Sequence, residues 1–102
     1  MKVSFINPKL KKQIQSFGRS TTSKIIRMLD LLEQFGSKLG MPYSKKITEN
    51  LFELRTRGHQ EVRLLYCFYK RQAVILHIFV KKSSKIPLKE IKTAQERYKL
   101  LT

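Results

Sequence analysis

LFELRTRGHQEVRLLYCFYKRQAVILHIFV, residues 51–80, is the stretch that decides the fold. From Leu51 to Arg57 apolar and charged residues alternate. Phe52 and Leu54 fall on one side and Glu53, Arg55 and Arg57 on the other, the period of a half-buried strand. Val62 to Tyr69 and Ala73 to Val80 are nearly unbroken apolar runs, rich in β-branched and aromatic residues, as interior strands are. Gly58-His59-Gln60 and Lys70-Arg71-Gln72 break these runs briefly, so three strands follow one another in antiparallel hairpins.

Working outward, Lys2 to Ile6 reads as a short edge strand, and Asn7-Pro8 as a helix start. Asparagine caps, and proline sits in the first turn, where its missing N–H costs nothing. Leu10, Ile14 and Phe17 form one helical stripe that Gly18 ends. A second helix starts in Ser20-Thr21-Thr22, carries Ile25, Met28, Leu29, Leu32 and Phe35 on one face, and stops at Gly36. Gly36 to Lys46 reads as a loop broken by Pro42. Pro87 opens a last helix bearing Leu88, Ile91, Ala94, Tyr98 and Leu101. The order is β-α-α-β-β-β-α: an α+β chain, one domain over residues 1–102, with its helical hairpin and C-terminal helix packed on one face of a small, mainly antiparallel twisted sheet.

Twenty-two Lys and Arg against seven Asp and Glu leave a formal charge of +15 on 102 residues, a surplus that suits a polyanion. Cys67 is the only cysteine, which excludes an internal disulfide and a Cys-based zinc site. Set in an apolar run, it reads as a buried inert thiol. The longest apolar run, Ala73 to Val80, is far too short to span a bilayer, and Met1 leads into Asn7-Pro8 without an apolar signal. The expectation is a cytoplasmic protein without a membrane partner. No Gly-rich phosphate loop, paired-carboxylate site, nucleophile elbow or metal-ligand spacing is present, so no metal, cofactor or small-molecule substrate is expected.

Cations gather on the strands and their exits. Arg55 and Arg57 share a strand face, Arg63 belongs to the next strand, and Lys81, Lys82 and Lys85 follow the third. In register, these six converge on one concave sheet face and make a phosphate-sized site. Spacing alone leaves open the alternative that they solubilise the sheet and block edge pairing. Arg63 favours the site, because an arginine inside an apolar strand costs stability unless something uses it; on that view its removal costs little. His77 reads as a satisfied core histidine and His59 as a solvated turn residue. Tyr66 and Phe68 read as core, leaving Tyr69 as the one aromatic assigned to base stacking.

Glu53-Leu54-Arg55, Val62-Arg63-Leu64-Leu65-Tyr66, Phe79-Val80-Lys81-Lys82 and Lys85-Ile86-Pro87, followed by a helix carrying Ala94 and Arg97, resemble the HigB-like, phage-associated branch of the RelE/ParE toxin superfamily. The resemblance covers essentially the whole chain. It implies a microbial-RNase-like sheet, a type II toxin that cleaves messenger RNA at the ribosome (an mRNA interferase), and a cognate helix-turn-helix antitoxin. By position it also implies that Arg63 matches a catalytic arginine, Lys82 a lysine after the last strand, and Arg55 and Arg57 basic positions on the first-hairpin strand. With these, Arg63, Lys82 and Arg55 are assigned to catalysis, while the cation cluster and the stacking assignment above give RNA contacts to Arg57, Lys81, Lys85 and Tyr69. RelE relatives have an arginine after the lysine matched by Lys82, and a catalytic tyrosine in the next helix; here Ser83 and Lys89 stand there, leaving the general acid unassigned. Attack of a 2′-hydroxyl on its own phosphate needs phosphoryl clamps, which the arginines supply, and a base. Like-charge crowding favours a lysine base, with Lys82 first and Lys81 or Lys85 next. Two other readings share fold and charge: a ParE-like topoisomerase inhibitor without nuclease activity, and a non-catalytic RNA- or ribosome-binding module.

If the six cations engage phosphates, RNA affinity measured from about 50 to 300 mM salt should fall with a log–log slope of magnitude roughly 3 to 4, at about 0.7 per single-strand contact. A flat titration would show that the charge serves another purpose.

Overall fold

The two apolar runs pair as the long hairpin at the centre of the sheet in the computed structural model, which describes residues 1–101. Strand β4 is Val62–Tyr69 and β5 is Gln72–Val80, joined at Lys70-Arg71. Both turn residues have positive φ, +49° and +62°, the combination of a type I′ turn whose twist matches that of the strands. Before β4 come β1 (Lys2–Phe5), α1 (Lys9–Ser16), α2 (Arg19–Phe35), β2 (Ser44–Lys46) and β3 (Phe52–Arg55); α3 (Leu88–Lys99) follows β5. The sheet order is β1-β5-β4-β3-β2, with β1 parallel to β5 and every other pair antiparallel.

The helix signals sit where the sequence puts them. The Asn7 Oδ1 accepts from the backbone N–H of Lys9 at 3.0 Å, and Gly18 and Gly36 turn the chain at φ +57° and +54°. The Thr22 hydroxyl donates to the Ile14 carbonyl at 2.7 Å and ties the corner between α1 and α2. Phe35 and Leu88, read as parts of apolar stripes, are exposed.

The helices divide between the two sheet faces, which corrects the one-face expectation. On one face α1 and α2 bury Leu10, Ile14, Ile25 and Leu32 against Leu54, Val62, Leu64, Tyr66 and Ile75. On the other α3 sets Ala94, Ile91 and Tyr98 against Leu51, Leu65, Cys67, Leu76 and Phe79. The cause is in β4 and β5 themselves: strands that are apolar on both sides need cover on both.

A second difference is β2, three residues inside the presumed loop, paired to β3 through Ser44↔Leu54 and Lys45↔Glu53. Ser44 and Tyr66 share a hydrogen bond between hydroxyls across β3, which pins this edge strand to the core. Strand β3 stops at Arg55, so Arg57 lies beyond it.

A β-bulge interrupts the central hairpin. Leu65 pairs with His77 and Tyr66 with Ile75, so Leu76 is the extra residue. Leu76 and His77 both turn to the α3 face, where Leu76 is fully buried and His77 meets the helix. Beyond the bulge, Ile78 and Val80 face α1 and α2, while Phe79 faces α3.

Cys67 lies wholly buried beneath α3, and burial pushes its thiol up to about 11. At pH 8 the native protein should react with a thiol reagent at least about a hundredfold more slowly than the urea-unfolded chain. Burial raises the folded pKa of Cys67, so the stability this supplies is complete below the unfolded thiol value and lost as pH climbs towards 11. Unfolding midpoints should fall over that alkaline window, and by less in a Cys67→Ala variant.

Candidate functional site

Side-chain alternation decides which cations meet. Glu53 and Arg55 on β3 and Arg63 on β4 share the α3 face, and Arg55 stands directly opposite Arg63. Two guanidinium groups in register repel unless compensated. Glu53 does this from between them: its carboxylate is 3.5 Å from the Nε of Arg55 and 3.4 Å from the Nε of Arg63. Arg63 and Glu53 are 1% and 2% exposed, so this is a buried ion pair. The Arg63 Nη1 also donates to the carbonyls of Thr56 (2.9 Å) and Val62 (3.2 Å), and its Nη2 pairs with the exposed Glu61 at 3.1 Å. Arg63 therefore has partners of its own beneath the surface and does not project into open space.

Above this pair lies a groove of about 260 Å³. Arg55, Lys45, Lys81 and Lys85 bring cations to it, Ile47, Ile86 and Ile91 line its apolar side, and Glu53 borders it. Lys81 continues the β5 ladder by donating its N–H to the Glu61 carbonyl at 2.8 Å, and like Phe79 it falls on the α3 face. Lys82, one residue on, borders a separate recess with Val80, Pro87, Lys89 and Glu90.

The six cations named from sequence are thus split. Arg55, Lys81 and Lys85 share the groove, and Arg63 lies buried off its lining and reaches it only through its pairing with Glu53. Lys82 opens elsewhere, and exposed Arg57 borders a different cavity with Arg55. Tyr69 is six residues along β4 from Arg63, about 20 Å away at strand rise, half-buried with Tyr98 and Leu101 under the Lys70 ammonium.

His77 is hydrogen-bonded as expected, but at the seam with α3 rather than in the core. Its Nε2 is 2.9 Å from Glu90, its ring stacks on Phe79, and the Arg97 Nη1 lies 3.4 Å from its Nδ1. Sequence reasoning missed Lys45 because its strand was taken for loop. It missed the role of Glu53 because a carboxylate between two arginines also fits a solvated strand face. The alternation of Lys45 with Ser44 and Lys46 ahead of the Phe52 strand is the one signal for the former.

The chain matches the family model described as Phage derived protein Gp49-like (DUF891) over residues 12–99, a stretch that includes every residue of the groove. No curated protein matches the chain.

The buried pair reverses the expectation that Arg63 is removed at little cost. Arg63→Ala leaves the buried Glu53 carboxylate with Arg55 as its one remaining ion-pair partner and should cost up to about 3–5 kcal/mol in urea unfolding. The double variant Glu53→Leu/Arg63→Met, which removes both charges, should recover most of that loss. Recovery of none of it would show that Arg63 is held by its carbonyl contacts instead.

Proposed function

The chain belongs to the phage-derived Gp49-like family, and we propose that it is the toxin of a type II toxin–antitoxin pair, of the HigB-like branch of the RelE/ParE superfamily. The activity that best suits its site is cleavage of messenger RNA by attack of a 2′-hydroxyl on the adjacent phosphate. One observation carries this reading: the groove where Arg55, Lys45, Lys81 and Lys85 meet above a guanidinium and carboxylate fixed in the sheet. A phosphate placed there meets fixed cations at the oxygens where negative charge builds during attack, and such preorganised charge lowers the barrier.

Within this reading Arg55 is the phosphoryl clamp. Its Nε is tethered to Glu53 at 3.5 Å, which orients the guanidinium before RNA arrives. Lys85 and Lys45 are further charges on the strand's path. Lys81, half-buried at the groove, takes the proton-exchange role first given to Lys82, because alternation along β5 turns Lys82 away. Arg63 acts as a positioning residue: it holds Glu53, which holds Arg55. The proposed partners are messenger RNA on the ribosome and an antitoxin of the helix-turn-helix kind encoded alongside. So small a set of chemical groups suits an enzyme whose substrate is positioned by the ribosome.

The burial of Arg63 favours a second reading, a ParE-like inhibitor of a topoisomerase that cleaves nothing. Mapping 5′ ends on a chosen transcript after induction separates the two. In-frame cuts within translated regions support the nuclease; DNA breaks with intact messages support the inhibitor.

Induction should arrest growth, and the neighbouring antitoxin should relieve it. Arg55→Ala and Lys81→Ala should slow cleavage in a translation-coupled assay by roughly 10²–10³, the cost of losing one transition-state donor. Both should melt within a few degrees of the parent, since neither is fully buried. Variants that fold and cleave at the parental rate would remove the groove from the mechanism.

A further inference from the structure

A second, larger cavity of about 450 Å³ lies between α2 and the turn that enters β2. Met28, Pro42 and Tyr43 give it an apolar lining, and Lys24, Arg27, Arg55 and Arg57 supply four cations with no carboxylate among the lining residues. The walls are anchored. The Tyr43 carbonyl accepts from the Arg55 N–H at 2.9 Å, and the next residue, Ser44, is bonded to Tyr66 in the core. Gly58 keeps room for one of the cations: its φ is +144°, and a Cβ there would run into the Lys24 ammonium. Tyr43 itself is 43% exposed, leaving part of its ring open to a ligand.

Such a lining has a specific complement. Four cations with no acidic counterpart attract an anion, and the apolar wall accepts a flat hydrophobic face. A nucleotide presents both in one residue, since base–aromatic stacking and backbone charge neutralisation are the two terms that hold single strands. The volume falls within the roughly 300–1,000 Å³ of small-ligand sites. Arg55 borders both this cavity and the groove, so the two adjoin at that residue. We propose that this cavity is a nucleotide subsite, which takes the base and phosphate of the nucleotide adjoining the one in the groove. The inference rests on the RNA reading and adds to it a place where a base is stacked beside the phosphate being attacked.

The test measures binding of the full chain to a 2′-O-methyl hexanucleotide, which lacks the attacking hydroxyl, and to the same oligomer with an abasic residue at each position in turn. Tyr43→Ala should weaken the intact oligomer about tenfold, the loss of one stacked base. Tyr43→Phe should bind like the parent. One abasic position should abolish the difference between Tyr43→Ala and the parent. Lys24→Gln, at an exposed side chain, should reduce the slope of affinity against salt by about 0.7. If RNA binds and Lys85→Ala weakens it while Tyr43→Ala and Lys24→Gln do not, the subsite is overturned and the groove reading stands. If Tyr43→Ala weakens the antitoxin complex and leaves RNA untouched, the cavity is a protein-docking site and the proposal also fails. If the parent binds no RNA at all, both readings fall together.

Discussion

One extra residue in β5 sets the geometry on which the site depends. Side chains along a strand alternate strictly, so a single bulged residue exchanges the faces of everything beyond it. Before the bulge Ala73 and Ile75 face the helical hairpin; after it Ile78 and Val80 do, and Phe79 moves to the face that holds Arg63. Continued one step past the strand, the same parity brings Lys81 to the groove, while Lys82 borders a separate recess. The interruption of the ladder is compensated locally. Arg97 of α3 donates to the Leu76 carbonyl at 2.8 Å, and the Leu76 side chain is fully buried. The helix that covers this face thus also satisfies the irregularity that defines it.

The second constraint is the pairing of scarce carboxylates. Glu53 lies between Arg55 and Arg63, Glu61 meets Arg63, and Glu90 meets His77. With only seven acidic residues in the chain, committing these three to internal or seam contacts leaves the groove and its neighbouring cavity cationic. Glu53 and Arg63 are both desolvated, and such a pair contributes little net stability against an apolar substitute. What it supplies is direction: it fixes where the Arg55 guanidinium sits at the edge of two cavities.

Much of the fold is legible in the residues, and the exceptions share one physical origin. Strand β4 has the bounds that its apolar run gives, and Asn7, Gly18, Gly36 and Pro87 punctuate the helices as their side chains dictate. These signals are local. Strand β2 has no apolar alternation and exists because β3 offers it a partner edge, so no window containing only Ser44 to Lys46 reveals it. The choice between Lys81 and Lys82 depends on a bulge that an uninterrupted apolar run conceals. The oddity of Arg63 was readable, as a charge in an apolar strand. Its answer lay ten residues away on another strand, in Glu53, and register rather than spacing brings the two together. Tyr69, the aromatic assigned to stacking, lies at the end of β4 far from Arg63, whereas Tyr43 in the presumed loop borders a cavity with four cations.

The site divides by rigidity, and that division bears on what it can do unaided. Arg55 is held by the sheet through a buried carboxylate, while Lys45 is on a three-residue edge strand and Lys85 on a loop. Lysines on such supports retain much of their rotamer freedom and lose it only when an anion is bound, which costs affinity and precision. On the proposed reading, one guanidinium held by the sheet and ringed by adaptable ammonium groups binds a phosphate backbone readily and orients it weakly. On the proposed reading, alignment of the 2′-hydroxyl with its phosphate must then come from elsewhere: a stacked neighbouring base, a ribosome that presents the strand, or both. On that reading rate follows from how the RNA is held, because the chain itself brings few groups to the chemistry.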